Sequence, residues 1–417
     1  MMRRSTLPIW FVTACLVSGE VSGGDWPQIL GPRRNGVAEG ERLHDAWPDT
    51  GPKTAWTHRL GSGYAGPAVV GNRVLVFHRV GGSERLEALD AKSGKELWKV
   101  DFPARYPGGV NEDRGPRCVP LVHKNRVYVF GAAGELHCVA LENGKKFWSR
   151  SAYVELNGRL GYFGAGSTPI VADEKLLVNV GGRRRAGLAA FALETGKTAW
   201  SATSEGASYS SPTSAQLGGQ THVIFVTRLN TISVNPRDGK TRFEFSFGRT
   251  GPTVNAATPL VFDGHVFVSA AYGVGAQLAQ ITPTGARQVW ANDESMSSQY
   301  STCVYHDGHL YGTHGREDFD NGELRCIEAK TGKVMWSEKG FGVASVILVE
   351  GKLLLLNHRG KLTQVNATPV GYQPQASVRV TDGITRALPA LSNGRYFFRS
   401  NRGEQGTLKC LAVGRTK

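Results

Sequence analysis

Long apolar runs are nearly missing from this 417-residue sequence. The stretch that comes closest, Leu7 to Val17, is too short to span a bilayer, and no other segment approaches one, so no transmembrane segment is expected. Aromatic residues make up only 9% of the chain, and its six cysteines form no evenly spaced framework, which argues against a fold stapled by disulfides. Acidic residues are outnumbered: 35 Asp and Glu face 49 Lys and Arg, for a net charge of +14. That balance suits either an acidic partner or a generally basic surface. The lysines fall in separated turns rather than in one run, which fits the basic surface, and no nucleic-acid partner is expected. A phosphate-cradling glycine loop at a helix start and a spacing that supports a Ser/His/Asp triad are both lacking. No catalytic residue and no metal ligand is assigned on this basis. His306 and His309 flank a hairpin turn and do not read as a metal pair.

The first 23 residues differ from the rest. Arg3 and Arg4 precede the short apolar run, and Val21-Ser22-Gly23 supplies small residues, the pattern of a secretory signal peptide. Val12-Thr13-Ala14-Cys15 weakly resembles a lipobox, so lipidation of Cys15 is the alternative to simple cleavage. The expectation is an exported protein, periplasmic or extracellular, with a leader at 24–50 and a single domain over 51–417.

What the sequence has in abundance is a recurring tryptophan after a Gly-Lys turn. It appears in Gly94-Lys95-Glu96-Leu97-Trp98, Gly144-Lys145-Lys146-Phe147-Trp148, Gly196-Lys197-Thr198-Ala199-Trp200 and Gly332-Lys333-Val334-Met335-Trp336, with Trp56 and Trp290 in the same rhythm. Units of about 45 residues built from short strands and turns are the signature of a β-propeller. Proline leads the first strand at Pro67, Pro120, Pro169, Pro212, Pro259 and Pro389, and short polar turns such as Asp263-Gly264 and Asn393-Gly394 join it to the second. The sequence predicts an all-β, eight-bladed propeller of four-stranded antiparallel blades. The last unit lacks a fourth strand, whereas Pro52–Thr57 has the fourth-strand pattern with nothing before it. Pairing this N-terminal strand with the C-terminal blade closes the ring and removes an exposed edge. The seventh unit has lost the tryptophan pattern, and seven blades is the alternative.

The block Ala88-Leu89-Asp90-Ala91-Lys92-Ser93-Gly94-Lys95-Glu96-Leu97-Trp98, repeated at Cys326–Trp336, resembles the pyrroloquinoline quinone (PQQ)-like repeat of quinoprotein-type propellers. The leader from Asp25 to Val37 resembles the start of exported PQQ-like proteins of planctomycete-type bacteria. The resemblance implies one of two functions. Quinoprotein dehydrogenases hold PQQ and calcium over the channel and oxidise alcohols or sugars. The other branch, similar to the barrel-assembly lipoprotein, keeps the ring without a quinone and holds protein partners of the cell envelope. Acidic residues for a calcium site are not evident at the channel positions, and the vicinal cysteine pair of many alcohol-oxidising members is absent, as is a Cys-x-x-Cys-His haem signature.

A channel site would sit three residues before each strand-leading position: Tyr64, Arg117, Gly166, Tyr209, Ala256, Tyr300, Val343 and Arg386. Of these, Tyr64, Arg117, Tyr209, Tyr300 and Arg386 are the candidate cofactor-binding residues. They can hold an anionic or aromatic small molecule, or fill the channel and hydrogen-bond one another. Asn255 and the Asn111-Glu112-Asp113 loop lie nearby, and Arg183-Arg184-Arg185 marks a basic loop tip. The expected function is an exported, non-catalytic binding or scaffolding propeller without a cofactor. A PQQ- and calcium-dependent oxidoreductase and an anionic-glycan binder are the alternatives.

Overall fold

The computed structural model describes residues 24–110, 112–282 and 285–415. The expected signal peptide at 1–23, with Cys15, lies outside them. The described chain forms eight four-stranded antiparallel sheets and one short helix, Ala152–Leu156. Seven sheets run through consecutive strands, as in Ala68–Val70, Arg73–Val80, Ser83–Asp90 and Glu96–Pro103 of blade one. The seventh unit forms a full blade despite its missing tryptophan, from Ala344–Val349 to Pro374–Arg379. The eighth takes its outer strand, Thr54–Leu60, from the N-terminal side and pairs it with Gln405–Ala412. The ring is therefore closed as the sequence predicts. No helix among the described residues is long and apolar enough to cross a membrane.

The tryptophans explain the repeat physically. Each lies on an outer strand and donates its indole N–H to a carbonyl in the turn region of the next blade: Trp56 to Ala91, Trp98 to Leu141, Trp148 to Leu193, Trp200 to Pro236, Trp290 to Ala329 and Trp336 to Thr368, at 2.8–3.1 Å. The turn glycine sits beneath the ring. At Gly94, where φ is +70°, a Cβ would come within 2.6 Å of Trp56 Cδ2, and Gly144 meets Trp98 in the same way. Glycine is needed there twice over, for the left-handed backbone and for the close approach. A small residue faces five of these six tryptophans across the strand pair, as Ala88 faces Trp98 and Cys138 faces Trp148, whereas Leu278 faces Trp290. This accounts for Cys138, Cys326 and Cys410, and all five described cysteines are buried and free. Each indole hydrogen bond contributes about 1 kcal/mol beyond the burial of its ring. The seam after blade four replaces the latch with Phe243, packed among Ile224, Val226, Val266 and Val268.

The leader lies on the face of the first-to-second-strand turns and closes that end of the channel. Trp26 exchanges two backbone hydrogen bonds with Val69 of blade one, Val122 of blade two donates to Pro27, and Ala38 donates to Leu348 of blade seven. The Glu41 carboxylate accepts the N–H groups of Asn393 and Gly394 in blade eight at 2.7 and 2.8 Å. Arg34, only 2% exposed, reaches blades three and four. Its guanidinium donates to the carbonyls of Thr168, Pro169 and Pro212 and to the side chain of Gln28. Burial pulls its pKa down to about 9.

Candidate functional site

The other end of the channel is rimmed by the connections that run from each outer strand to the next inner strand. Their backbones are hooked to the neighbouring blade. The N–H groups of Tyr64 and Ala65 both donate to Pro116 O, and those of Tyr209 and Ser210 both donate to Asn255 O, at 2.9–3.0 Å. These hooks place the tyrosines at the mouth before any side chain makes a contact.

The five candidate residues are joined in one chain of contacts. The Tyr300 hydroxyl donates to Glu317, whose other carboxylate oxygen accepts from Nε and Nη2 of Arg386. The Arg386 guanidinium lies 5.5 Å from the centroid of the Tyr64 ring, with Nη1 3.4 Å from the Tyr64 hydroxyl. Arg117 approaches the same ring from another blade at 5.8 Å, and also the rings of Tyr106 at 6.0 Å and Phe163 at 5.9 Å. Phe163 meets Tyr209 edge to face at 5.5 Å, and its N–H donates to the Tyr209 hydroxyl at 2.8 Å. Cation–π contacts of this kind are worth roughly 0.5–2 kcal/mol each, the more so when shielded from water.

Burial and charge shape the titration of this group. Burial, reinforced by the Glu317 carboxylate, raises the Tyr300 pKa well above that of a free phenol, so the hydroxyl remains a donor. Burial also pushes Tyr209 up to about 12. For Arg386 burial works against the charge, but the bonds to Glu317 outweigh it and its pKa rises. Deeper in the blades, Arg399 is fully buried and donates to Gly61 O and Asn401 Oδ1; desolvation lowers it to about 10. Glu84, 2% exposed, accepts the N–H of Ala132, and burial raises it to about 7.

Sequence alignment of the repeats missed the carboxylate at the centre. Glu317 comes from the loop between the second and third strands of blade six, not from an inner-strand position. Phe163 and Tyr106 likewise come from irregular connections. The other aligned positions, Gly166, Ala256 and Val343, bring no polar side chain; a Cβ on Gly166 would come within 2.7 Å of the Tyr209 ring. Asp113 turns inward, accepting the N–H groups of Gly63 and Gly115 at 2.8 and 2.9 Å. Asn255 is buried and donates to Thr227 O at 2.9 Å, while Asn111 lies outside the described residues. Arg183, Arg184 and Arg185 are exposed at a loop tip. Among the described residues, no three His, Cys, Asp or Glu side chains are grouped so that they could hold a metal ion.

Three kinds of likeness bear on this arrangement. The family model described as "Outer membrane protein assembly factor BamB" matches residues 40–114 and 82–338. The BamB of Moranella endobia is 23% identical over 329 residues, which cover 76% of this chain and 70% of that protein. Among solved structures, BamB from Moraxella catarrhalis superposes with a TM-score of 0.61 at 15% identity, covering 86% of this chain and 97% of that one. Quinohemoprotein alcohol dehydrogenase from Comamonas testosteroni gives 0.71 at 14% identity, covering 94% of this chain and 81% of that one. At these identities the structural likeness establishes the propeller and not the chemistry.

Proposed function

This chain belongs to the family of the outer membrane protein assembly factor BamB, and from that premise we propose an exported, non-catalytic binding or scaffolding protein of the cell envelope. A protein partner docks on the loops around the channel mouth. The observation that carries this reading is that the mouth side chains are already committed to one another: Glu317 is shared by Arg386 and Tyr300, and Arg386 and Arg117 flank Tyr64. A network satisfied in this way holds a rigid rim and gains little by opening around a cofactor.

The donor set speaks in the same direction. Calcium needs six to eight oxygen ligands. At the mouth, the Glu317 carboxylate is neutralised by Arg386, and Asp113 faces backbone N–H groups, so these side chains do not fit a quinone held by calcium. The rim instead offers apolar side chains to a partner, with Val110 76% and Leu160 47% exposed.

Pull-down from an envelope extract tests the proposal. The expected result is one stoichiometric partner, retained by the native chain and lost by Leu160→Asp at unchanged melting temperature. Failure to retain any stoichiometric partner, together with a rise in melting temperature when PQQ and calcium are added, overturns it in favour of a quinoprotein.

A further inference from the structure

A cavity of about 530 Å³ opens among the loops of blades five and six and the connection from blade four to blade five, on the same face as the mouth. Gln299 is the partition. Its amide N–H groups point to the Tyr272 hydroxyl and to Asp318 Oδ1, and its carbonyl accepts the N–H of Glu317 from the mouth network. The cavity therefore has its own walls, and its role does not depend on a protein partner.

The wall is built for a polar ligand with one apolar face. Arg316 is held by Asp318 and lies 4.2 Å from the Tyr272 ring centroid and 4.4 Å from that of Phe319. This stack fixes Phe319, which nevertheless remains 66% exposed. Across the cavity, Arg249 and Asp293 approach the same point: a Cβ on Gly273 would lie 3.0 Å from Arg249 Nη1 and 4.0 Å from Asp293 Oδ2. The two charges make no ion pair, and the Arg249 guanidinium has no hydrogen-bonding partner among the described residues. His314 accepts the N–H of Ser297 on Nδ1 at 3.1 Å, which leaves Nε2 as a donor; burial lowers its pKa and keeps the ring neutral. Asn321 accepts on Oδ1 from Arg316 N and keeps its amide hydrogens free. Donors thus outnumber acceptors, beside one exposed aromatic ring.

We infer that this cavity binds an acidic sugar, with its carboxylate on Arg249, its hydroxyls shared among Asp293, His314 and Asn321, and the C–H face of the pyranose against Phe319. A guanidinium without a partner is suited to a carboxylate, and a volume in the usual range for ligand sites holds one or two sugar rings. The chemistry is the same for a free uronic acid and for a uronate unit of a polysaccharide.

Calorimetric titration of the full chain tests the inference, with glucuronate, galacturonate, glucose, an oligogalacturonide and, as a competing class, the amino acids glutamate and phenylalanine. Saturable binding of a uronate, roughly tenfold or more tighter than glucose, is expected from one charge-assisted pair. Arg249→Gln should abolish that preference, and Phe319→Ala should weaken uronate and glucose alike by roughly threefold to tenfold. Both side chains are exposed, and an unchanged melting temperature confirms that the variants are folded. Tighter binding of the oligomer than of the monomer identifies a polysaccharide as the source, and equal binding identifies the free acid. No saturable uronate binding at about 10 mM, where millimolar affinity would be seen, overturns the inference. So does binding of an amino acid in its place, or an Arg249→Gln variant that still prefers uronate.

Discussion

The two ends of the channel solve the same problem with different parts of the chain. At the leader end, main chain meets main chain: Trp26 with Val69, Ala38 with Leu348, Val122 with Pro27. Its one buried cation, Arg34, is satisfied chiefly by backbone carbonyls. At the mouth, backbone hooks seat neighbouring connections, but what reaches across the blades is side chains: tyrosines, arginines and one glutamate form the closure. Backbone contacts tolerate most substitutions but depend on the segment being in place. Side-chain contacts can be retuned residue by residue. The leader end is therefore the structural closure of the ring, and the mouth is the end open to specialisation.

The sharpest way to break this contrast is at Arg34. Arg34→Met leaves three buried carbonyls and the Gln28 side chain without their donor and is expected to cost about 3–5 kcal/mol in chemical denaturation, more than Arg117→Met, whose guanidinium at the mouth meets aromatic rings and two loop carbonyls. If Arg117→Met costs as much, the two ends do not differ as described.

A second test uses pH. Glu84 is protonated more readily folded than unfolded, with its pKa raised from 4.5 to about 7. The folded state therefore holds more protons across that window, and stability falls as pH rises through it, levelling off above. Glu84→Gln should remove this loss, gaining about 3 kcal/mol above pH 7 and almost nothing at pH 4. A native and variant difference that stays constant with pH would contradict the assignment.

The smallest effect is expected at Tyr209. Tyr209→Phe removes the acceptor for the Phe163 N–H and should cost about 1 kcal/mol, read from the urea midpoint. A loss several times larger would mean that the mouth is as structural as the leader end.

The architecture was legible in the sequence because six of the eight blades repeat one physical device. The tryptophan over a turn glycine recurs at nearly constant spacing, and the early copy at Trp56 reveals the closure. The mouth was legible only in part. Positions before each inner strand obey the repeat, so Tyr64, Arg117, Tyr209, Tyr300 and Arg386 could be aligned, and the structure brings them together. Their central partner, Glu317, stands in a loop of irregular length, where period carries no information. Nor does any local pattern announce that Arg34, far from the blades it joins in sequence, would be satisfied by carbonyls of blades three and four.

The eighth blade also sets a schedule. Glu41 and the turn it caps at Asn393 are 352 residues apart along the chain. Closing a loop of that length is entropically uphill until both partners exist, and contacts of such high order form slowly. During synthesis, the first segment of the propeller must wait with its strand unpaired while blades one to seven take shape. The final joining of Thr54–Leu60 to Gln405–Ala412 is then the step that turns a curved stack of sheets into a ring.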